Sequence, residues 1–169
     1  MNIASILLAT ALLPVNFHAE STTEFASHLI SQATEVSGWN DVRWGMSQAE
    51  IAALYTNAQP ETRTYREESP KHFLITYEYP VGGHSYDLVF GFDNDRLTSV
   101  ALRWEGERAD NPSDEVIEAL RGRYGEPDGK NSIGALEWFF PNTKISLFEF
   151  ELDGVYHMSV GYSEVVQGF

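Results

Sequence analysis

Five histidines, at positions 18, 28, 72, 84 and 157, and 25 acidic side chains are the residues of this 169-residue chain best suited to holding a metal or moving a proton. Their spacing speaks against most of that chemistry. No two histidines stand four apart, and no His-Glu-x-x-His segment places two ring nitrogens on one helix face for zinc. His72 and His84 flank one expected hairpin and could converge there, but a histidine at a turn is ordinarily solvated. Asp93-Asn94-Asp95 opens as a calcium loop opens, yet the twelfth position is Trp104 instead of a bidentate glutamate, and the sixth carries no glycine. Glu149 and Glu151 share one strand face, a spacing open to a glycosidase-like pair, although 25 acidic residues make such coincidences frequent. Nucleophile elbows and phosphate loops are missing, and Ser47, the nearest serine candidate, reads better as a helix cap. Without a single cysteine the chain has no thiolate, disulfide, Cys-bound zinc or lipid-bearing N-terminal thiol. No cofactor is expected.

Charge and length bound the rest. The 25 Asp plus Glu against 11 Lys plus Arg give −14, none of it before Glu20. Such a field repels a polyanion, and no basic stretch is interleaved with aromatics, so nucleic acid is not an expected partner. Ile3 to Leu13 is an apolar run of export-signal length, too short to span a bilayer, and Pro14 ends it. Residues 1–19 are therefore expected to be a signal peptide, although its first residues lack the usual Lys or Arg. Cleavage falls near Ala19 or Ser21, leaving a periplasmic or extracellular protein with no membrane anchor. The roughly 150 residues that remain suffice for one domain with one core.

The elements that must position any site follow from period and punctuation. Residues 20–38 read as an N-terminal helix or arm, opened by the Ser21-x-x-Glu24 capping box. A second box, Ser47-x-x-Glu50, opens a helix over about 48–58 that buries Ile51, Leu54, Tyr55 and Ala58, and Pro60 stops it. From Phe73 the period becomes two. Phe73, Ile75, Tyr77 and Tyr79 form one inward set, followed by Tyr86, Leu88, Phe90 and Phe92 after Gly82-Gly83, then Val100, Leu102 and Trp104 after Asp93-Asn94-Asp95. Glu105 to Asp110 is a polar connector. A further helix starts at Asn111-Pro112-Ser113-Asp114, buries Val116, Leu120 and Tyr124, and ends at Gly125 and Pro127. Leu136, Trp138 and Phe140 make a fourth strand, residues 144–152 a fifth, and Tyr156, Met158, Val160 and Tyr162 a sixth after the Asp153-Gly154 turn. In the fifth strand Ile145 and Leu147 have one parity and Phe148, Phe150 and Leu152 the other. A bulge near Leu147 or cover on both sides would explain that.

The two halves match. Ser47, Ile51 and Leu54 align with Ser113, Ile117 and Leu120, Pro60 with Pro127, Tyr79-Pro80 with Phe140-Pro141, and Phe92-Asp93 with Leu152-Asp153. One helix and three strands cannot bury a core alone, so the expected fold is α+β. It is a single domain with an antiparallel sheet of about six strands, built from two αβββ repeats at 39–104 and 111–163 joined by the 105–110 connector, with both helices on one face. The stretches Val42-Arg43-Trp44-Gly45-Met46-Ser47, Leu120…Tyr124-Gly125-Glu126-Pro127 and Phe90…Phe92-Asp93-Asn94-Asp95-Arg96-Leu97-Thr98-Ser99-Val100 resemble those of small exported bacterial helix-plus-meander domains. The β-lactamase inhibitor protein family, with a tandem repeat, and the small outer-membrane assembly lipoproteins, with one unit, are similar in this way over about residues 40–163. That resemblance implies a fold only, because the anchoring cysteine of the one and the disulfides of the other are absent.

The four tryptophans, Trp39, Trp44, Trp104 and Trp138, could line a ligand groove, but Trp104 and Trp138 follow the inward parity of their strands and core is the expected place of all four. Leu74, Val89, Arg103, Phe139 and His157 have the outward parity. With both helices on one face, these five share the other, a mixed apolar and polar surface suited to docking another exported or envelope protein, with a basic face as the complement to −14. The leading functional reading is a non-enzymatic binding module. A small hydrolase using carboxylates with His84, and an envelope-maintenance protein, are the alternatives.

Overall fold

The computed structural model describes residues 36–61 and 72–166. The expected signal peptide, and the helix or arm up to residue 35, lie outside the described residues. The chain runs through strands β1 (Gly38–Trp39) and β2 (Val42–Arg43), helix α1 (Gln48–Leu54), then β3 (Gln59–Pro60), β4 (His72–Val81), β5 (His84–Asp93) and β6 (Arg96–Gly106). A 3-10 turn at Arg108–Asp110 leads to α2 (Ser113–Tyr124), β7 (Gly129–Lys130), β8 (Leu136–Phe139), β9 (Thr143–Leu152) and β10 (Val155–Glu164).

Turn chemistry sets the hairpins. Gly82 and Gly83, Asn94 and Asp95, and Asp153 and Gly154 all hold φ between 49° and 88°. Two successive left-handed residues make the two-residue connection whose twist matches that of the flanking strands. Both helices begin on side-chain oxygen atoms. Ser47 Oγ accepts from the Glu50 amide while the Glu50 carboxylate accepts from the Ser47 amide at 2.8 Å, which holds that carboxyl below its usual range. Asn111 Oδ1 accepts from the Ser113 amide at 3.1 Å.

Strand order is β3-β4-β5-β6-β10-β9-β8-β7, every neighbour antiparallel, so the sheet has eight strands and not six. The additional two, β3 and β7, are edge pieces of two residues each. Two residues cannot display an alternation, and Pro60 is tolerated in β3 because an edge strand has one side without a ladder. The order is symmetrical about the junction of β6 with β10, where Val100, Leu102 and Trp104 lie opposite Tyr162, Val160 and Met158. These six side chains belong to one buried cluster with Ile51, Phe90, Leu120, Trp138 and Ile145. Both helices feed that cluster, Tyr55 after α1 with its ring 4.8 Å from Phe90 and α2 with Val116, Leu120 and Tyr124.

α1 stops at Leu54 rather than near 58: Tyr55 leaves helical angles at φ −117°, ψ 80°, and Leu54 is 49% exposed rather than part of the stripe. A strap spanning residues 36–46 crosses the helix side. Gly45 and Met46 bond the backbone of Leu97 at 2.9 and 2.8 Å, while the Thr143 hydroxyl donates to the Val36 carbonyl and accepts from Trp44 Nε1 at 2.8 Å. It thereby joins the start of β6 to the start of β9. Gly38 is required here, since a Cβ would overlap the Val42 carbonyl oxygen.

Tyr55, Tyr86, Tyr156 and Tyr162 all have phenol pKa values raised above 10.0, with burial the largest cause at each. Below about pH 10 both folded and unfolded chains carry neutral phenols, and above it only the unfolded chain ionises freely. The phenols' contribution to stability is therefore expected to be flat below that pH and to fall above it, and Tyr162→Phe should flatten the fall in urea midpoints measured above about pH 10.

Candidate docking face

The side of the sheet away from the helices is uneven. On β4 and β5, Ile75 and Val89 lie opposite each other and are only 1% and 3% exposed. Across the middle run small side chains, Ala101 opposite Gly161 and Gly161 opposite Ser146. At the end carrying the β9–β10 turn the face opens. Phe150 lies opposite His157 and Leu152 opposite Val155; Phe150, Leu152 and Val155 are 43%, 58% and 40% exposed. The Phe148 and Phe150 rings stack at 5.5 Å, and Phe150 stacks on the His157 imidazole at 4.8 Å and 13°.

β9 pairs with β10 without a register break from Leu152 through Thr143, which disposes of the bulge as an explanation for its parity change. The strand is regular. Its first half turns Ile145 and Leu147 to the core, and its second half turns Phe148, Phe150 and Leu152 to the reverse face, where nothing among the described residues buries the last two. On the core side of that second half stand the exposed Glu149 and Glu151. They serve structural contacts: Glu151 lies 3.8 Å from Arg108, whose guanidinium carbon sits 5.5 Å over the Tyr156 ring, and Glu149 helps raise the Tyr156 phenol pKa, after burial.

Beside the stacked rings is an open groove of about 640 Å³, bordered by Glu78, Asp87, Arg103, Glu105, Phe150 and His157. A β-bulge supplies one of its acids. Tyr77 and Glu78 together oppose Asp87, and Glu78 adopts φ 54°, so the strand shifts parity between Thr76 and Tyr79. An unbulged β4 would send Glu78 to the helix side with Leu74 and Thr76; the bulge aims it into the groove. Arg103 stands opposite Asp87 on β5 and Ser159 on β10, and its guanidinium is 3.9 Å from the Glu61 carboxylate, a side chain 1% exposed. His157 Nδ1 is 3.7 Å from the Glu105 carboxylate. The floor is thus one cation and one imidazole among three border carboxylates, with an apolar shelf alongside.

Of the five residues expected on this face, the structure brings two together. Arg103 and His157 border the groove. Val89 has the right orientation but is buried, and Phe139, 56% exposed, lies on β8 at the far side of β9 from β10, away from the groove. Leu74 is on the opposite side: it faces Phe90 and is 6% exposed within the core. The same bulge explains it. Tyr79 is inward as expected, but the shift reverses the strand before it, so Phe73, Ile75 and Tyr77 are not the inward set. Glu78, Asp87, Glu105, Phe150, Leu152 and Val155 were not foreseen as site residues; the parity change within 144–152 was the signal that pointed to Phe150 and Leu152.

Other acid–base arrangements do not assemble. His72 opens β4 opposite Phe92 and His84 opens β5 opposite Val81, at the two ends of one hairpin. The nearest carboxylate to His84 is that of Glu115 on α2, 3.5 Å away and 75% exposed. Ser47 is occupied as a cap. Among the described residues no three His, Asp or Glu side chains converge as metal ligands, and no helix is long and apolar enough to cross a membrane. The geometry offers shape, an aromatic shelf and charge, which is the equipment of recognition. Comparison of the chain with protein-family models, with characterised proteins and with solved structures finds no match.

Proposed function

We propose that this is an exported, periplasmic or extracellular binding module. In this reading two αβ repeats share one sheet, both helices lie on one side, and the open end of the other side docks an extended, basic segment of another exported or envelope protein. The carrying observation is the exposed Phe150, Leu152 and Val155 beside a groove bordered by Glu78, Asp87 and Glu105. Apolar side chains left in water on a folded surface mark contact sites, and an acidic border selects a lysine- or arginine-bearing partner while repelling acidic ones. The whole-chain charge of −14 adds long-range attraction for the same partner. The matched order of turns and helices and the symmetrical strand order support the duplication.

The test uses an alternating Lys-Leu peptide and its Glu-Leu counterpart, titrated calorimetrically into the protein. The Lys-Leu peptide is expected to bind and the Glu-Leu peptide not. Phe150→Ala/Leu152→Ala should weaken binding at least about tenfold, or 1.4 kcal/mol. Phe150 is 43% exposed and stacks on Phe148 and His157, so the double variant is expected to lower the urea midpoint modestly, and binding is compared where both proteins are fully folded. Equal binding of the two peptides, or indifference to the double variant, would remove the proposal.

A further inference from the structure

A second cavity, of about 430 Å³, lies on the helix side and is unconnected with the docking reading above. Its lining includes Leu102 and Val160, which face each other across the β6–β10 junction, Trp39 of the strap, Tyr79 of β4, and Val116 and Leu120 of α2. It sits where the two halves of the chain meet, and pockets of this size and apolar lining between packed elements are where small ligands bind. Its one charged lining residue is Arg123.

Arg123 differs from its neighbour on the same helix. Arg121 holds two carboxylates, Glu118 at 2.9 Å and Glu126 at 3.1 Å. Arg123 lies with its guanidinium carbon 5.3 Å over the Tyr124 ring, and among the described residues it has no carboxylate within ion-pair distance. In a chain with 25 acidic residues, a guanidinium at the mouth of an apolar pocket with no acid in its lining is set to meet an anion brought from outside. Asn40 and the hydroxyls of Tyr124 and Tyr162 add neutral hydrogen-bonding groups to the same lining.

We infer that this pocket binds an apolar monoanion, a carboxylate with an aliphatic or aromatic body, with the body between α2 and the sheet and the carboxylate on Arg123. Dodecanoate and the uncharged dodecanol are the probes, measured by calorimetry on the intact chain. Dodecanoate is expected to bind at least tenfold more tightly than dodecanol. Arg123→Gln should erase that difference by weakening dodecanoate alone, and Ala119→Trp, which fills the pocket from α2, should weaken both. Phe150→Ala/Leu152→Ala, on the opposite side of the sheet, should change neither. Failure of dodecanoate to bind, equal affinity for the two probes, or an Arg123→Gln variant that still prefers dodecanoate would overturn the inference. Arg123 is exposed, so Arg123→Gln decides the matter even if Ala119→Trp does not fold.

Discussion

Replacing Trp138 by alanine is expected to cost about 3–5 kcal/mol, the range for deleting a large buried aromatic. The indole is 1% exposed, faces Ile145 across the β8–β9 pair, and donates from Nε1 to the Gly125 carbonyl at 2.9 Å. Truncation leaves a cavity in the core and removes the indole's hydrogen bond to the Gly125 carbonyl, which is exposed and can take a water in its place, so the cavity is the larger cost. Trp138 lies in the second half of the chain, yet Ile51 and Phe90 of the first half share its cluster. Urea unfolding followed separately by tryptophan fluorescence and by far-ultraviolet dichroism should therefore show one coincident, shifted transition. Two separated transitions would mean that each half carries its own core.

Arg103→Leu is expected to produce the next largest loss, about 2 kcal/mol. Removing one member of a buried ion pair typically costs about 3–5 kcal/mol, because the other charge is stranded. Here the Glu61 side chain is 1% exposed but that of Arg103 is 32% exposed, and the closest approach is 3.9 Å, so water reduces the penalty. Glu61→Gln in the Arg103→Leu background should restore part of the loss, since a neutral amide strands no charge. A double-mutant cycle by denaturant unfolding measures this directly, and strictly additive effects would show that the two residues act independently.

The hairpins and α2 could be read from the sequence because their signals are local: Gly82-Gly83, Asn94-Asp95 and Asp153-Gly154 dictate turns, and Asn111 and Gly125 bracket a helix. What could not be read was decided at a distance. Nothing near Glu78 announces that two residues there oppose one on β5, and that single extra residue reversed the expected orientation of Phe73, Leu74, Ile75 and Tyr77. The groove depended further on β6 lying beside β10, a pairing between the two halves that no turn specifies. Arg103 and His157 were found because their own strands keep parity. Glu78 and Asp87 joined them only through the bulge and the sheet order. The apolar shelf was visible as an anomaly at Phe148, though that no described residue buries Phe150 and Leu152 could be seen only in the assembled sheet.

The short outermost strands have a further meaning for a chain kept at high concentration. Each flank of the sheet ends in two residues, one flank carrying Pro60 and the other Gly129, and the longer strands inside run past their neighbours: β3 pairs only Leu74 and Ile75 of β4, and β8 only Lys144 to Leu147 of β9. Among the described residues no strand lies on the outer side of β4 beyond Ile75 or of β9 beyond Leu147. The second of these margins is the backbone of the aromatic shelf itself, so a strand added there would meet open amides and apolar side chains together.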